Sequence, residues 1–273
     1  MTESTFRDQI TRSPIDVPHA ALCFAREIAY PELDVQHYRL QIDSLCQAAR
    51  AQLFPFLSLT EQAEALSDFL FIQQRFQGNS AYYQDPRNSY LNEVIERRLG
   101  IPISLSVIYI AIAQELGLPA SGIGLPGHFI VSIQEPCDET YLDPFHGGVR
   151  LSRADCAQLV REATGFDGAF QMEWLKPVSP AVILTRMLNN LRNIYLHQED
   201  WTQGLAVVEH LRMLQPGLPD LLRDLGTIYE RKGSLRLAIQ YYEQYLTQAP
   251  QASDAETVLD HLRRAAHQIS KLN

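Results

Sequence analysis

The chain has 273 residues, 46% of them hydrophobic and 20% charged, a globular mix sufficient for one large domain or two modest ones. Glycine (14) and proline (15) are few and unperiodic, which excludes collagen-like structure and argues against disorder. A formal charge of −9, from 23 basic and 32 acidic residues, disfavours nucleic acid as the main partner, because phosphate backbones are repelled.

The longest strongly apolar run, Val107–Ala113, falls far short of the roughly 18–20 residues that a spanning helix needs, so no membrane segment is expected. The start, Met1-Thr2-Glu3-Ser4-Thr5-Phe6-Arg7-Asp8, lacks a basic segment followed by an apolar one, so no secretory signal is expected. Cys23, Cys46, Cys137 and Cys156 form no CxxC pair, and no histidine cluster has zinc spacing. The expectation is four reduced thiols in a cytoplasmic protein, with no metal and no cofactor.

Residues 1–100 read as helical. Pro18-His19-Ala20-Ala21-Leu22 opens a short helix. Leu33-Asp34 begins a longer one with Tyr38, Ile42, Leu45 and Ala49 at helical spacing. Thr60-Glu61-Gln62-Ala63 is a further helix start, and Gly78-Asn79 breaks the pattern. Asp85-Pro86-Arg87-Asn88-Ser89 predicts a turn that leads into a helix at Tyr90–Ile95. After Gly100-Ile101-Pro102, a helix is predicted from Ile103 to Leu116, with Gly117 as its C-cap. Almost every position from Leu105 to Ala113 is apolar or small, so this helix is expected to be buried on all sides.

Short strands are predicted at Gly122–Leu125, His128–Ile133, Thr140–Asp143 and Val149–Leu151, with a turn at Gln134–Asp138. Helices and strands together predict an α+β domain over 1–179.

From Pro180 onward an internal repeat of 34 residues appears. Leu222-x-x-Leu225-Gly226-x-x-Tyr229, Ala238-x-x-x-Tyr242 and Pro250 follow the tetratricopeptide pattern. Shifting back by one repeat lands on Leu188, Leu191, Tyr195, Gly204, Val208 and Pro216, with Arg192 where a small residue is expected. An all-α array is therefore predicted over 180–273. Its two repeats lie at about 185–218 and 219–252, and a capping helix begins near Ser253.

Ser104, His128 and Asp143 carry the candidate chemistry. Ser104 lies in the first turn of the buried helix, where the dipole and free N–H groups favour negative charge. His128 begins one strand and Asp143 ends the next. Reflection about a turn centred near residue 136 sends position 128 to about 144, placing the two side chains within cross-strand reach. A carboxylate beside an imidazole fixes its tautomer and raises its basicity. Nucleophile at a helix start, His on one strand and Asp on the next is the layout of papain-like and transglutaminase-like enzymes.

Several motifs in order extend this likeness: Gly78-Asn79, Tyr82-Tyr83, Asp85-Pro86, Asn88-Ser89-Tyr90-Leu91-Asn92, Arg97-Arg98, Gly100-Ile101-Pro102-Ile103-Ser104-Leu105, Pro126-Gly127-His128-Phe129, Asp143-Pro144-Phe145 and Gly147-Gly148. From about residue 17 to 250 the chain resembles the SirB-type bacterial family, which joins a transglutaminase-like domain to C-terminal tetratricopeptide repeats. The resemblance implies a mostly helical, transglutaminase-like (papain-like) core with a small antiparallel sheet. It also places His128 and Asp143 on the superfamily's catalytic His and Asp.

The chain departs from active members where a nucleophilic Cys should open the buried helix, because Ser104 stands there. A hydroxyl has a far higher pKa than a thiol, so thiol-type acyl transfer should fall severely. Two functions follow as expectations. One is a non-enzymatic interaction protein, a pseudoenzyme core whose repeats bind a protein or peptide on their exposed face. The other is a hydrolase or acyl-transferase using Ser104, His128 and Asp143. Asn79, Tyr83, Asn88, Tyr90 and Asn92 form a candidate binding cleft beside these residues.

Overall fold

A computed structural model describes residues 4–52, 57–135 and 139–272. The chain divides into two compact units, Met1–Met187 and Leu188–Asn273.

The first unit begins with α1 (Phe6–Ile10), α2 (Val17–Ile28), α3 (Val35–Arg50) and α4 (Leu59–Ser67). Each start is set by a short polar side chain. Asp16 accepts from the His19 N–H at 3.0 Å and Asp34 from the His37 N–H at 3.1 Å. Ser58 and Glu61 cap α4 reciprocally. Most of α2 is buried, with Ala20 to Ala25 fully enclosed. α4 runs on into a π-helical turn at Asp68–Gln73, whose Phe69, Leu70 and Phe71 enter the core. Next, β1 (Gln77–Gly78) pairs in parallel with β2 (Leu99–Gly100), flanking a 3-10 turn at Pro86–Asn88 and α5 (Leu91–Arg97).

α6 (Pro102–Glu115) is the central helix. Its residues from Pro102 to Ile110 are all buried, as expected of a helix without a polar face. Burying each of its large aliphatic side chains contributes roughly 1.5–3 kcal/mol relative to exposure. Tyr109, fully enclosed, donates its hydroxyl to the Ala63 carbonyl at 2.7 Å, so the one phenol in this apolar helix is satisfied.

α6 packs against an antiparallel sheet of four strands in the order β3 (Ala120–Ile123), β4 (Ile130–Gln134), β5 (Glu139–Asp143) and β6 (Val149–Leu151). α7 (Arg153–Thr164) covers it, so that Cys156 and Val160 pack with Ile123, Leu125, Ile130, Tyr141 and Leu175. The first strand lies two residues earlier than the periodicity suggests. β4 begins at Ile130, so His128 is in the preceding turn and not in the strand.

The second unit holds the repeats. The boundary falls within α8 (Pro180–His197), which is followed by α9 (Trp201–Leu214), α10 (Pro219–Arg231), α11 (Leu235–Gln248) and α12 (Ala255–Leu272). Leu188, Leu191, Val208, Leu225, Ala238 and Tyr242 are fully buried, which is the packing role that their spacing predicts. Gly226 is required by close approach, since a Cβ there would lie 2.4 Å from the Tyr242 ring. At the matching position of the first repeat, Arg192 takes a different course and pairs with the buried carboxylate of Asp224. Arg223 joins this network through Asp224 at 3.3 Å and also pairs with Asp254 at 2.7 Å. Asp224 thus has two guanidinium partners, Arg192 and Arg223.

Candidate functional site

Three backbone features of the first unit converge. His128 follows a tight turn in which Gly127 has φ +72°, and its N–H donates to the Leu125 carbonyl at 3.2 Å. A Cβ at Gly127 would also lie 2.6 Å from that of Ala163, so both conformation and space require glycine here. Asp143 ends β5, and its backbone opens a 3-10 turn at Pro144–His146. The pairing of Val131 with Leu142 brings the start of β4 beside the end of β5.

The imidazole of His128 lies with Nε2 2.9 Å from Asp143 Oδ2, and His146 Nδ1 lies 2.7 Å from the same oxygen. Because a carboxylate only accepts, each imidazole donates an N–H to it. Asp143 Oδ1 accepts from the Phe145 N–H at 3.0 Å. Both carboxylate oxygens are therefore engaged, and the side chain is 0% exposed. Burial raises the Asp143 pKa, but the bonds from His128 and His146 outweigh it and hold the carboxyl below its usual range. His128 is buried, whereas the His146 side chain is 54% exposed.

Phe145 sets the ring geometry. It packs edge-on against His128 (centroids 6.1 Å apart), His146 (5.1 Å) and Tyr83 (6.0 Å). The two imidazoles are nearly parallel, at 21° with centroids 5.8 Å apart. Arg186 secures the turn, donating to the carbonyls of Leu125 at 3.0 Å and His128 at 2.8 Å.

Ser104 is placed differently. It is fully buried in the first turn of α6. Its hydroxyl accepts from the Ile101 N–H at 3.0 Å and donates to the Asn88 carbonyl at 2.6 Å. Among the described residues, His128 is not one of its hydrogen-bond partners. Of the thiols, Cys23, Cys46 and Cys156 are buried and free. Burial pushes the first two up to about 11 and Cys156 up to about 12, so thiolate is scarce at neutral pH. Cys137 lies outside the described residues.

The five residues read as a cleft separate into different roles. Asn79 and Asn88 are buried and clasp a loop. Asn79 Nδ2 donates to Asn88 Oδ1 at 3.0 Å, and Asn88 Nδ2 donates to the Tyr82 carbonyl at 2.8 Å. Tyr90 is buried against Phe24 and Tyr30. Asn92 is buried and borders a separate hollow with Tyr30, His37 and Tyr38. Tyr83 alone of the five is exposed, at 41%, and lies one aromatic ring away from His128. Asn79, Asn88 and Tyr90 therefore do not form a solvent-open cleft with the His–Asp pair. Loop closure and core packing take up their side chains.

Sequence reasoning missed His146 and Arg186. The spacing Asp143-x-x-His146 was the available signal for the first, since a carboxylate at the start of a 3-10 turn meets a side chain three residues later. Arg186 is distant in sequence and lies within a helical pattern, so nothing local marks it. His128, Asp143 and His146 each present a ligand-type atom, and these atoms lie within 4.8 Å of one another.

Comparison with known proteins agrees with this architecture. Residues 36–189 match the family described as the transglutaminase-like superfamily, and residues 191–263 match the tetratricopeptide repeat. A UPF0162 protein of Xylella fastidiosa (strain Temecula1) is 35% identical over 89% of this chain and 87% of its own length. A UPF0162 protein of Pseudomonas aeruginosa is 31% identical over 69% of this chain and 68% of its own. Human F-box only protein 21 is 31% identical over 42% of this chain and 20% of its own. No helix among the described residues is long and apolar enough to cross a membrane. The chain belongs to the UPF0162 family of bacterial proteins, with a transglutaminase-like domain followed by tetratricopeptide repeats.

Proposed function

We propose that this chain is a cytoplasmic protein-interaction protein, a transglutaminase-like pseudoenzyme whose repeats bind a protein or peptide partner. The observation that carries this reading is the state of Ser104. A nucleophile needs a base within hydrogen-bond reach and an open side for the substrate carbonyl. The Ser104 proton goes instead to the Asn88 carbonyl, and the hydroxyl is sealed from solvent. The cysteines in the described residues offer no substitute, because apolar burial keeps their thiols protonated. A retained His–Asp pair without a reachable nucleophile among the described residues supports structure or binding over acyl transfer.

Tetratricopeptide arrays commonly present the helix surfaces between their packing positions to partners. Here those positions include Asn189, half-buried, and Asn193, exposed, both on α8. The test is cross-linked affinity capture from a bacterial lysate with the intact chain and with Asn189→Ala/Asn193→Asp. A specific partner that cross-links to these helices and is lost in the variant supports the reading. Identical capture by both forms removes this face of the repeats from the mechanism.

A further inference from the structure

We propose that His128, Asp143 and His146 bind one divalent transition-metal ion of the zinc class. This goes beyond the interaction reading and does not depend on it.

Two segments, the glycine turn before His128 and the strand end that runs into the 3-10 turn at Asp143–His146, bring two imidazole nitrogens and one carboxylate oxygen within 4.8 Å of one another. The nitrogen–oxygen separations are 2.9 Å for His128 and 2.7 Å for His146. With metal–nitrogen and metal–oxygen bonds of about 2.0–2.2 Å, ligands of one ion lie about 2.9–3.4 Å apart at angles between octahedral and tetrahedral. Both nitrogen–oxygen separations are therefore within a few tenths of an ångström of what one ion requires, and the two imidazole nitrogens, within 4.8 Å of each other, would draw together on binding.

The donor set decides the class of ion. Two imidazoles and one carboxylate suit zinc and its neighbours, whereas calcium and magnesium favour all-oxygen sites. No thiolate competes within the set, since Cys156 is enclosed and its thiol is pushed up to about 12.

The surroundings are those of a supported ligand set. The second carboxylate oxygen is held by the Phe145 N–H, which orients the first. Phe145 braces both imidazoles edge-on. A purely structural tie between the turn and β5 needs only His128, which is buried. His146 adds a second donor to the same oxygen from a side chain 54% exposed, where a hydrogen bond stabilises little. That exposure also leaves one side of the ion open. Three protein ligands with a free coordination position are the pattern of zinc sites that also hold water or an external ligand.

The test uses the full chain, free of any affinity tag and stripped with a chelator. Zinc is titrated by calorimetry and cobalt by visible absorption. The expected result is one ion per chain and a cobalt spectrum with nitrogen and oxygen ligands and no thiolate charge-transfer band. His146→Ala should weaken binding by about 100-fold, since loss of a ligand exceeds the roughly 10-fold minimum seen for supporting groups. His146 is exposed, so this variant should keep the parent circular dichroism. Asp143→Asn, which retains the shape of the side chain, should lose binding as well. No binding by the parent chain overturns the proposal. So does equal affinity in His146→Ala, or a thiolate band that places the ion on cysteine.

Discussion

The hydroxyl of Ser104 donates to the backbone carbonyl of Asn88 at 2.6 Å, linking the first turn of the central helix to the loop before α5. The same oxygen accepts the Ile101 N–H, one of the donors that a helix start leaves unpaired. Where a nucleophile is expected from the resemblance, Ser104 is a satisfied, buried cap.

Ser104→Ala removes both bonds and strands a buried N–H and a buried carbonyl. The expected cost is about 1–3 kcal/mol. Urea unfolding of the two forms measures it, read as a lower midpoint at unchanged slope. A variant as stable as the parent would show that the cap carries no weight.

Asp85 makes stability depend on pH. Burial raises its pKa, but the hydrogen bonds from Arg87 and the charges of Arg87 and Arg97 prevail and hold the carboxyl below its usual range. A depressed folded-state pKa contributes stability that is fully present above the unfolded value, near 3.9, and lost as pH falls through the lower folded value. Asp85→Asn should therefore cost about 1 kcal/mol at neutral pH. The gap to the parent should close as pH drops below about 3.9. Denaturant titrations at pH 7 and at acid pH check this, and a gap that widens in acid contradicts the assignment.

In the repeats, Gly226→Ala sets helix propensity against packing. Alanine gains up to about 1 kcal/mol in an exposed helix. Here the added methyl meets the ring of the enclosed Tyr242 at 2.4 Å, so overpacking prevails, at about 1–3 kcal/mol. A lower thermal midpoint is the expected result. A higher one would mean that the Tyr242 ring yields freely.

Long, strongly patterned elements were legible in the sequence. The apolar run in α6 announces a buried helix because no face of it is polar. The repeat anchors Leu188, Leu191, Leu225 and Ala238 announce packing because their spacing recurs. The His128–Asp143 neighbourhood follows from reflecting one strand onto the next, which needs only the position of the turn.

What was illegible is short or turn-borne. α1 has five residues, and β1 and β2 have two each, too few for any period. The π-helical turn at Asp68–Gln73 continues the α4 pattern and differs only in its hydrogen bonding. His128 reads as strand because its neighbours are β-branched and aromatic, yet the positive φ of Gly127 keeps it in a turn. Asn79, Asn88 and Tyr90 look like cleft residues because polar and aromatic side chains cluster there. Their hydrogen bonds and ring contacts face inward, and residue type does not reveal direction. Arg192 occupies a small-residue position in the repeat, and its partner Asp224 lies 32 residues away.

Whether Ser104 acts as a nucleophile is the most direct point on which to test the account. The intact chain should be treated with a fluorophosphonate probe, digested and mapped by mass spectrometry, alongside Ser104→Ala. The expected result is no adduct on Ser104 and equal background in both forms. An adduct on Ser104 that disappears in Ser104→Ala would contradict the pseudoenzyme reading and restore Ser104, His128 and Asp143 as a working triad.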